Sequence, residues 1–229
     1  MFLERCVKRH RLFMRALAAG WLLVACGGDS SGPGSTTTAT ANDPTGDFFG
    51  AGATQLDMTS MSITRDTGGI DVVLNFTAAV FSPVSGNAAA VFGQVDFDVD
   101  QDTSTGLGSL VDVFRPTGVS TVLGVDYALD LFTYNADSTV NILDTLGAIR
   151  GQVRPVFSGS RISVRIRRSL FGGDDAFVNA AVIIGTNAEP TDITPNDGHL
   201  RVGGTGPVAP YRPGTPARPA ASIRKTPWN

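Results

Sequence analysis

The chain has 229 residues, with 18 Lys and Arg against 21 Asp and Glu, a formal net charge of −3 and two cysteines. Setting aside the first 25 residues, which hold five basic side chains and Glu4, leaves 13 basic and 20 acidic groups. That balance disfavours generic nucleic-acid binding, and two cysteines cannot build a disulfide-rich scaffold.

The chain opens on Arg5, Lys8, Arg9, Arg11 and Arg15, followed by an apolar run through Ala16, Leu17, Trp21, Leu22, Leu23 and Val24. This is the layout of a signal peptide over residues 1–25. Its uncharged stretch is about ten residues, half of the roughly twenty that a membrane-spanning helix needs. It ends in Leu23-Val24-Ala25-Cys26, which resembles the lipobox of bacterial lipoproteins. The resemblance implies cleavage before Cys26 and attachment of acyl chains such as palmitate to that residue. Several buried chains hold a protein on a bilayer where one does not. The partner implied at this end is the lipid bilayer, and the location is extracytoplasmic, in the cell envelope. Gly27 replaces the aspartate that commonly retains lipoproteins at the inner membrane, so the outer membrane is implied where the host has one.

Residues 26–47 are mainly Gly, Ser, Thr and Pro and are predicted to be a flexible tether with a reach of roughly 25 Å. Cys6 lies in the signal and Cys26 at the anchor, so the following domain, predicted over 48–204, holds no disulfide. It must rely on a core, with or without a metal. Its acidic residues are aspartates except Glu189, and aspartate suits turns and hard-cation sites.

Leu56, Met58 and Ile63 precede the turn Asp66 to Gly69, after which Ile70 opens the β-rich IDVVLNF, so a hairpin is predicted. Further strands are predicted at Val91 to Val99, Val111 to Phe114, Val125 to Tyr134, Thr139 to Leu143, Val153 to Phe157, Ile162 to Ile166 and Phe177 to Ile184. In RISVRIRR, Ile162, Val164 and Ile166 alternate with Arg161, Ser163, Arg165 and Arg167, the pattern of a half-buried strand. Eight or nine such strands with Gly-rich and Asp-rich turns predict an all-β fold, an antiparallel β-sandwich. Pro190 to Gly198 reads as a rigid turn.

VDFDVDQDTSTG sets Asp96, Asp98 and Asp100 on one face of a strand, with Asp102 in the loop beyond. So much like charge is costly unless a cation, basic partners or water offset it. Calcium accepts six to eight oxygens in flexible geometry, which makes Asp98, Asp100 and Asp102 the first candidate ligands, with Asp96 and the more distant Asp126 beside them. An EF-hand does not fit, because Thr103 holds the glycine position and Ser109 that of the bidentate glutamate. The competing reading is an exposed acidic edge paired with Arg161, Arg165 or Arg167.

FDVDQDTSTG, GVDYALDL, ISVRIRRSLFGGDD and AVIIGTNAEPTDITPNDGH together resemble DOMON-like domains and family 9 carbohydrate-binding modules, over about Leu56 to Leu200. The resemblance implies a sandwich that binds sugar, haem or structural calcium. Sugar sites use aromatic platforms, yet Trp21 lies in the signal and Trp228 in a Pro/Arg-rich tail predicted to be disordered over 205–229. Asp130, Phe132 and Tyr134 on one strand face form a possible ligand face, although sheet packing explains the same pattern. Haem would have only His199, Met58 and Met61 as axial ligands after the signal.

His199 is the sole histidine beyond the signal, and it has no nucleophile elbow, zinc cluster, Walker loop or dinucleotide fingerprint beside it. The sequence therefore points away from an enzyme, a glycosidase being the alternative that abundant aspartates leave open. The expected role is a binding module for a glycan or other envelope component, or a structural envelope lipoprotein that contacts another protein.

Overall fold

A computed structural model describes residues 36–115, 120–172, 177–203 and 228. The signal peptide, Cys26, the first part of the tether and most of the C-terminal tail lie outside the described residues. No helix among the described residues is long and apolar enough to cross a membrane.

The strands in chain order are β1 (Thr37–Asn42), β2 (Met58–Asp66), β3 (Gly69–Phe76), β4 (Phe92–Asp98), β5 (Tyr127–Tyr134), β6 (Val140–Asp144), β7 (Ile149–Val153), β8 (Val156–Ser158), β9 (Arg161–Arg167), β10 (Val178–Gly185), β11 (Pro190–Thr194) and β12 (Leu200–Val202). A single α-helical turn, α1 (Val111–Phe114), lies between β4 and β5. One sheet runs β1-β2-β3-β9-β8 and the other β11-β10-β4-β5-β6-β7, with β12 also on β10. Every strand pairing is antiparallel, and the two sheets form the predicted β-sandwich.

The β2–β3 hairpin forms as expected: Asp66 Oδ1 accepts from the amides of Gly68 and Gly69 at 2.7 and 3.0 Å. Gly69 has φ 153°, and a Cβ there would meet the Ile166 carbonyl oxygen at 2.0 Å, so the turn requires glycine. A bulge between Met58 and Ser60 resets the alternation, which lets Met58, Met61 and Ile63 all face inward. Ile70, Val72 and Leu74 of β3 and Ile162, Val164 and Ile166 of β9 meet Val95, Phe97, Leu129 and Val182 of the facing sheet in one core. The alternation read in β9 is thus its burial pattern.

Twelve strands form among the described residues where eight or nine were expected, and four of the segments that differ are informative. Thr37–Asn42, counted with the tether, pairs along β2, its β-branched Thr38 and Thr40 bonding Thr64 and Ser62 side chain to side chain. Val111–Phe114 is a helical turn, because it caps the outer face of the seven-stranded sheet with Leu110 and Val111 instead of joining a ladder. The strand predicted at Val153 to Phe157 is broken at Pro155, which has no amide to donate, so β7 ends in one sheet and β8 begins in the other. Pro190–Thr194, read as turn, is a strand with proline at its first position, where a missing donor is tolerated.

β10 is buried along its whole length because both faces are covered. Val178, Ala180, Val182 and Ile184 face the inter-sheet core, while Ala181 and Ile183 face a second cluster with Leu110, Val111, Leu123 and Ile193. The long β4–β5 connection supplies this cover and brings the acidic run to the sheet's outer face.

Candidate metal centre

Inward Val95 and Phe97 leave Gln94, Asp96 and Asp98 of β4 on the outer face. The β4–β10 register sets Asp98 opposite Asn179, and the β4–β5 ladder runs out beside Asp126, whose amide donates to the Phe97 carbonyl at 2.8 Å. Beyond β4 the chain turns at Gln101, which takes a left-handed φ of 53° and reaches the Phe177 carbonyl through Nε2 at 3.2 Å.

Asp98, Asp100 and Asp126 each present a carboxylate oxygen within 4.8 Å of the others, a group able to hold a metal ion. Asp98 is 0% exposed, its Oδ1 has no hydrogen-bond partner, its Oδ2 takes a long 3.4 Å contact from Asn179 Nδ2, and the Gln101 amide also faces the carboxylate. Asn179 is also buried, and its Oδ1 is likewise without a partner. Burial first, then the charges of Asp126 and Asp100, pushes the Asp98 carboxyl up to about 7 against the opposing Asn179 and Gln101 amides. Burial likewise raises Asp126, whose Oδ2 accepts from the Val99 amide at 2.9 Å. Converging carboxylates are hard oxygen donors, the kind that calcium takes.

Three of the five aspartates named from the sequence come together. Asp126 joins Asp98 and Asp100, whereas Asp102 turns its carboxylate to the Ser104 amide and hydroxyl at 2.9 and 2.6 Å. Asp96 is fully buried and accepts from Gln94 Nε2 at 2.5 Å, Ser109 Oγ at 2.7 Å and the Leu110 amide at 2.8 Å. It pins the covering segment to the sheet instead of facing the centre. The arginine alternative does not apply to this run, because β9 lies in the other sheet and Arg165 pairs with Asp66 and Asp71 at 2.6 and 2.7 Å. Asn179 escaped sequence reading because a cross-strand partner depends on strand order.

The loop sits close on the β5 approach. Leu107 and Val125 exchange backbone hydrogen bonds at 2.9 and 2.8 Å, and a Cβ on Gly124 would lie 2.4 Å from the Asp102 carbonyl oxygen and 2.7 Å from that of Thr105. Only glycine at 124 lets the acidic loop pack beside Asp126.

The predicted ligand face of Asp130, Phe132 and Tyr134 is divided. Asp130 is buried on the outer face, where its Oδ1 accepts from the Phe132 amide at 2.9 Å. Phe132 packs edge-to-face on Trp228 at 4.7 Å, and the Trp228 indole donates to the Thr186 carbonyl at 2.9 Å. A register shift between Asp130 and Tyr134 turns Tyr134 toward the inter-sheet core, against Phe157. His199 Nδ1 meets the Thr121 carbonyl at 2.7 Å and ties the tip before β12 to the cover. No family model and no curated protein matches this chain.

Proposed function

We propose that this chain is an envelope lipoprotein, acylated on Cys26, that displays a calcium-stabilised β-sandwich as a non-enzymatic binding module outside the cytoplasm. The anchor rests on the basic and apolar order of residues 1–25 and the terminal LVAC. The calcium assignment is carried by the convergence of the Asp98, Asp100 and Asp126 carboxylates, with the Asp98 Oδ1 buried and without a hydrogen-bond partner. Calcium there would supply the positive charge that three converging carboxylates need, joining β4, β5 and β10 at one end of the sheet.

The module's target is a glycan or another envelope component. The divided Asp130, Phe132 and Tyr134 face favours the second, a structural or protein-interaction role, because a sugar platform needs its aromatic rings side by side and open.

Metabolic labelling with palmitate tests the anchor: wild-type chain incorporates label and Cys26→Ser does not. Labelling of the Cys26→Ser variant at the wild-type level would refute acylation there. For the target, in-membrane cross-linking is expected to trap a second envelope protein, and a glycan array in calcium buffer is expected to stay blank. Saturable binding to one glycan class reverses that order.

A further inference from the structure

A second acidic group lies far from the first. Asp43 directly follows β1, Asp47 follows the turn after it, and Asp192 is on β11, yet one carboxylate oxygen from each comes within 4.8 Å of the others. The two sheets meet here. The Asp43 amide donates to the Thr59 carbonyl in the five-stranded sheet at 2.9 Å, while Asp192 belongs to the seven-stranded sheet and accepts from the Met58 amide at 2.6 Å.

Asp43 is only 6% exposed, and neither of its carboxylate oxygens has a hydrogen-bond partner. Asp192 is 1% exposed, with its oxygens taken by the Met58 and Ile193 amides, and Asp47 accepts from Asn196 Nδ2. Two bare, desolvated oxygens aimed at two further carboxylates are unfavourable without a counter-charge. Burial first raises both Asp43 and Asp192 in pKa, and the charge of Asp47 adds to each; at Asp43 the nearby Thr194 hydroxyl and Asp192 carboxyl oppose the shift, neither within hydrogen-bond geometry.

We infer that Asp43, Asp47 and Asp192 form a second site for a hard divalent cation of the calcium class, which clamps β1 and the edge of one sheet to β11 of the other. The strand it secures pairs along β2 but buries little apolar surface of its own. β1 reads TTATAN, and only Ala39 and Ala41 pack against the core. An ion bonded to Asp43 fixes the C-terminal end of that strand through both sheets at once. This inference does not depend on the Asp98 centre, nor on acylation of Cys26.

Calcium titration of the full chain by calorimetry separates the two sites. Wild type is expected to bind two equivalents, Asp43→Asn one, and Asp98→Asn one. Two equivalents retained by Asp43→Asn, or at most one bound by wild type and lost only in Asp98→Asn, would overturn the second site. One equivalent lost in Asp43→Asn with none lost in Asp98→Asn would leave this site standing and remove the first. A buried pair that merely shares a proton would bind no ion here, and Asp43→Asn would change no stoichiometry. Should Asp43→Asn fail to fold, hydrogen exchange on Asp98→Asn decides instead. Calcium is expected to slow the β1 amides at least tenfold against chelator, and unchanged exchange would sink the site.

Discussion

Asp98 and Asn179 stand directly opposite each other across the β4–β10 ladder, and each carries a buried Oδ1 with no hydrogen-bond partner. Their side chains meet through a single long contact of 3.4 Å from the Asn179 amide to the other Asp98 oxygen. A buried carboxylate with one oxygen lacking a donor is costly, and a cation is the counter-charge proposed for it.

That place yields a sign reversal. In calcium at about one hundred times its dissociation constant, binding to the folded state adds about 2.7 kcal/mol, or roughly 5–10 °C in Tm for a domain of this size. Asp98→Asn is expected to abolish that site's share of the rise. With chelator the same variant should melt at or above wild type, since it removes a buried like charge beside Asp100 and Asp126. Differential scanning calorimetry with and without calcium checks both halves. A variant equally destabilised in the two buffers would make Asp98 a packing residue only.

Asp96 predicts the opposite behaviour, although it is two residues away on the same strand face. Its carboxylate gathers Gln94, Ser109 and the Leu110 amide. Asp96→Ala strands those buried donors, and a loss of about 3 kcal/mol is expected in urea unfolding. The calcium-induced shift should survive intact. Loss of calcium response with little loss of stability would instead place Asp96 among the ligands.

The contrast marks what periodicity can and cannot disclose. Alternation placed Ile162, Val164 and Ile166 inside, and the acidic run named Asp98 and Asp100, because both depend on neighbours along one strand. Asn179 depends on which strand lies beside β4, and Asp43 with Asp192 on how two sheets close at an edge. No local pattern carries that. Asp102 looked equivalent to Asp98, with Asp96 a secondary candidate, until the turn at Ser104 and the segment around Ser109 claimed them. Likewise β1 resembled tether because a Thr and Ala strand at a sheet edge draws its order from the partner more than from its own apolar surface.

Trp228 offers a spectroscopic test of the outer cover. Edge-to-face contacts to Phe132 at 4.7 Å and Phe114 at 5.7 Å hold its ring, and each such pair contributes about 0.5–1.5 kcal/mol. After cleavage before Cys26 it is the one tryptophan left. Its fluorescence is expected to be blue-shifted from that of a solvated indole, and Phe132→Ala should move it to the red. Emission at the solvated position in the wild type would detach the C terminus from this face.

Asp66 supplies the pH dependence. The Arg165 guanidinium, followed by the Gly68 amide, holds its carboxyl down at about 2, below the ordinary 3.8. A carboxylate depressed in the folded state adds stability above its unfolded value and loses it as pH falls toward the folded one. The contribution is therefore complete above about pH 4 and disappears between about 4 and 2. Carbon-detected NMR titration should find that midpoint near 2, and Arg165→Gln should return it toward 3.8. An unmoved midpoint in the variant would assign the shift to the turn amides alone.

Gly124 tests whether the proposed metal centre needs its loop where it lies. An alanine Cβ would sit 2.4 Å from the Asp102 carbonyl oxygen and 3.1 Å from Thr103 Cα, both backbone atoms that cannot rotate aside. Overpacking of this kind costs about 1–3 kcal/mol, relieved when the loop lifts away. Lifting it carries Asp100 from Asp98 and Asp126, because Asp100 is fastened to that loop through the Asp102 amide at 2.8 Å and Thr105 Oγ1 at 3.0 Å. Gly124→Ala is expected to weaken calcium at this centre at least tenfold by calorimetry while the Asp43 site keeps its affinity. Equal weakening at both sites would point to a global loss of stability, and unchanged binding at both would show that Asp100 is not a ligand.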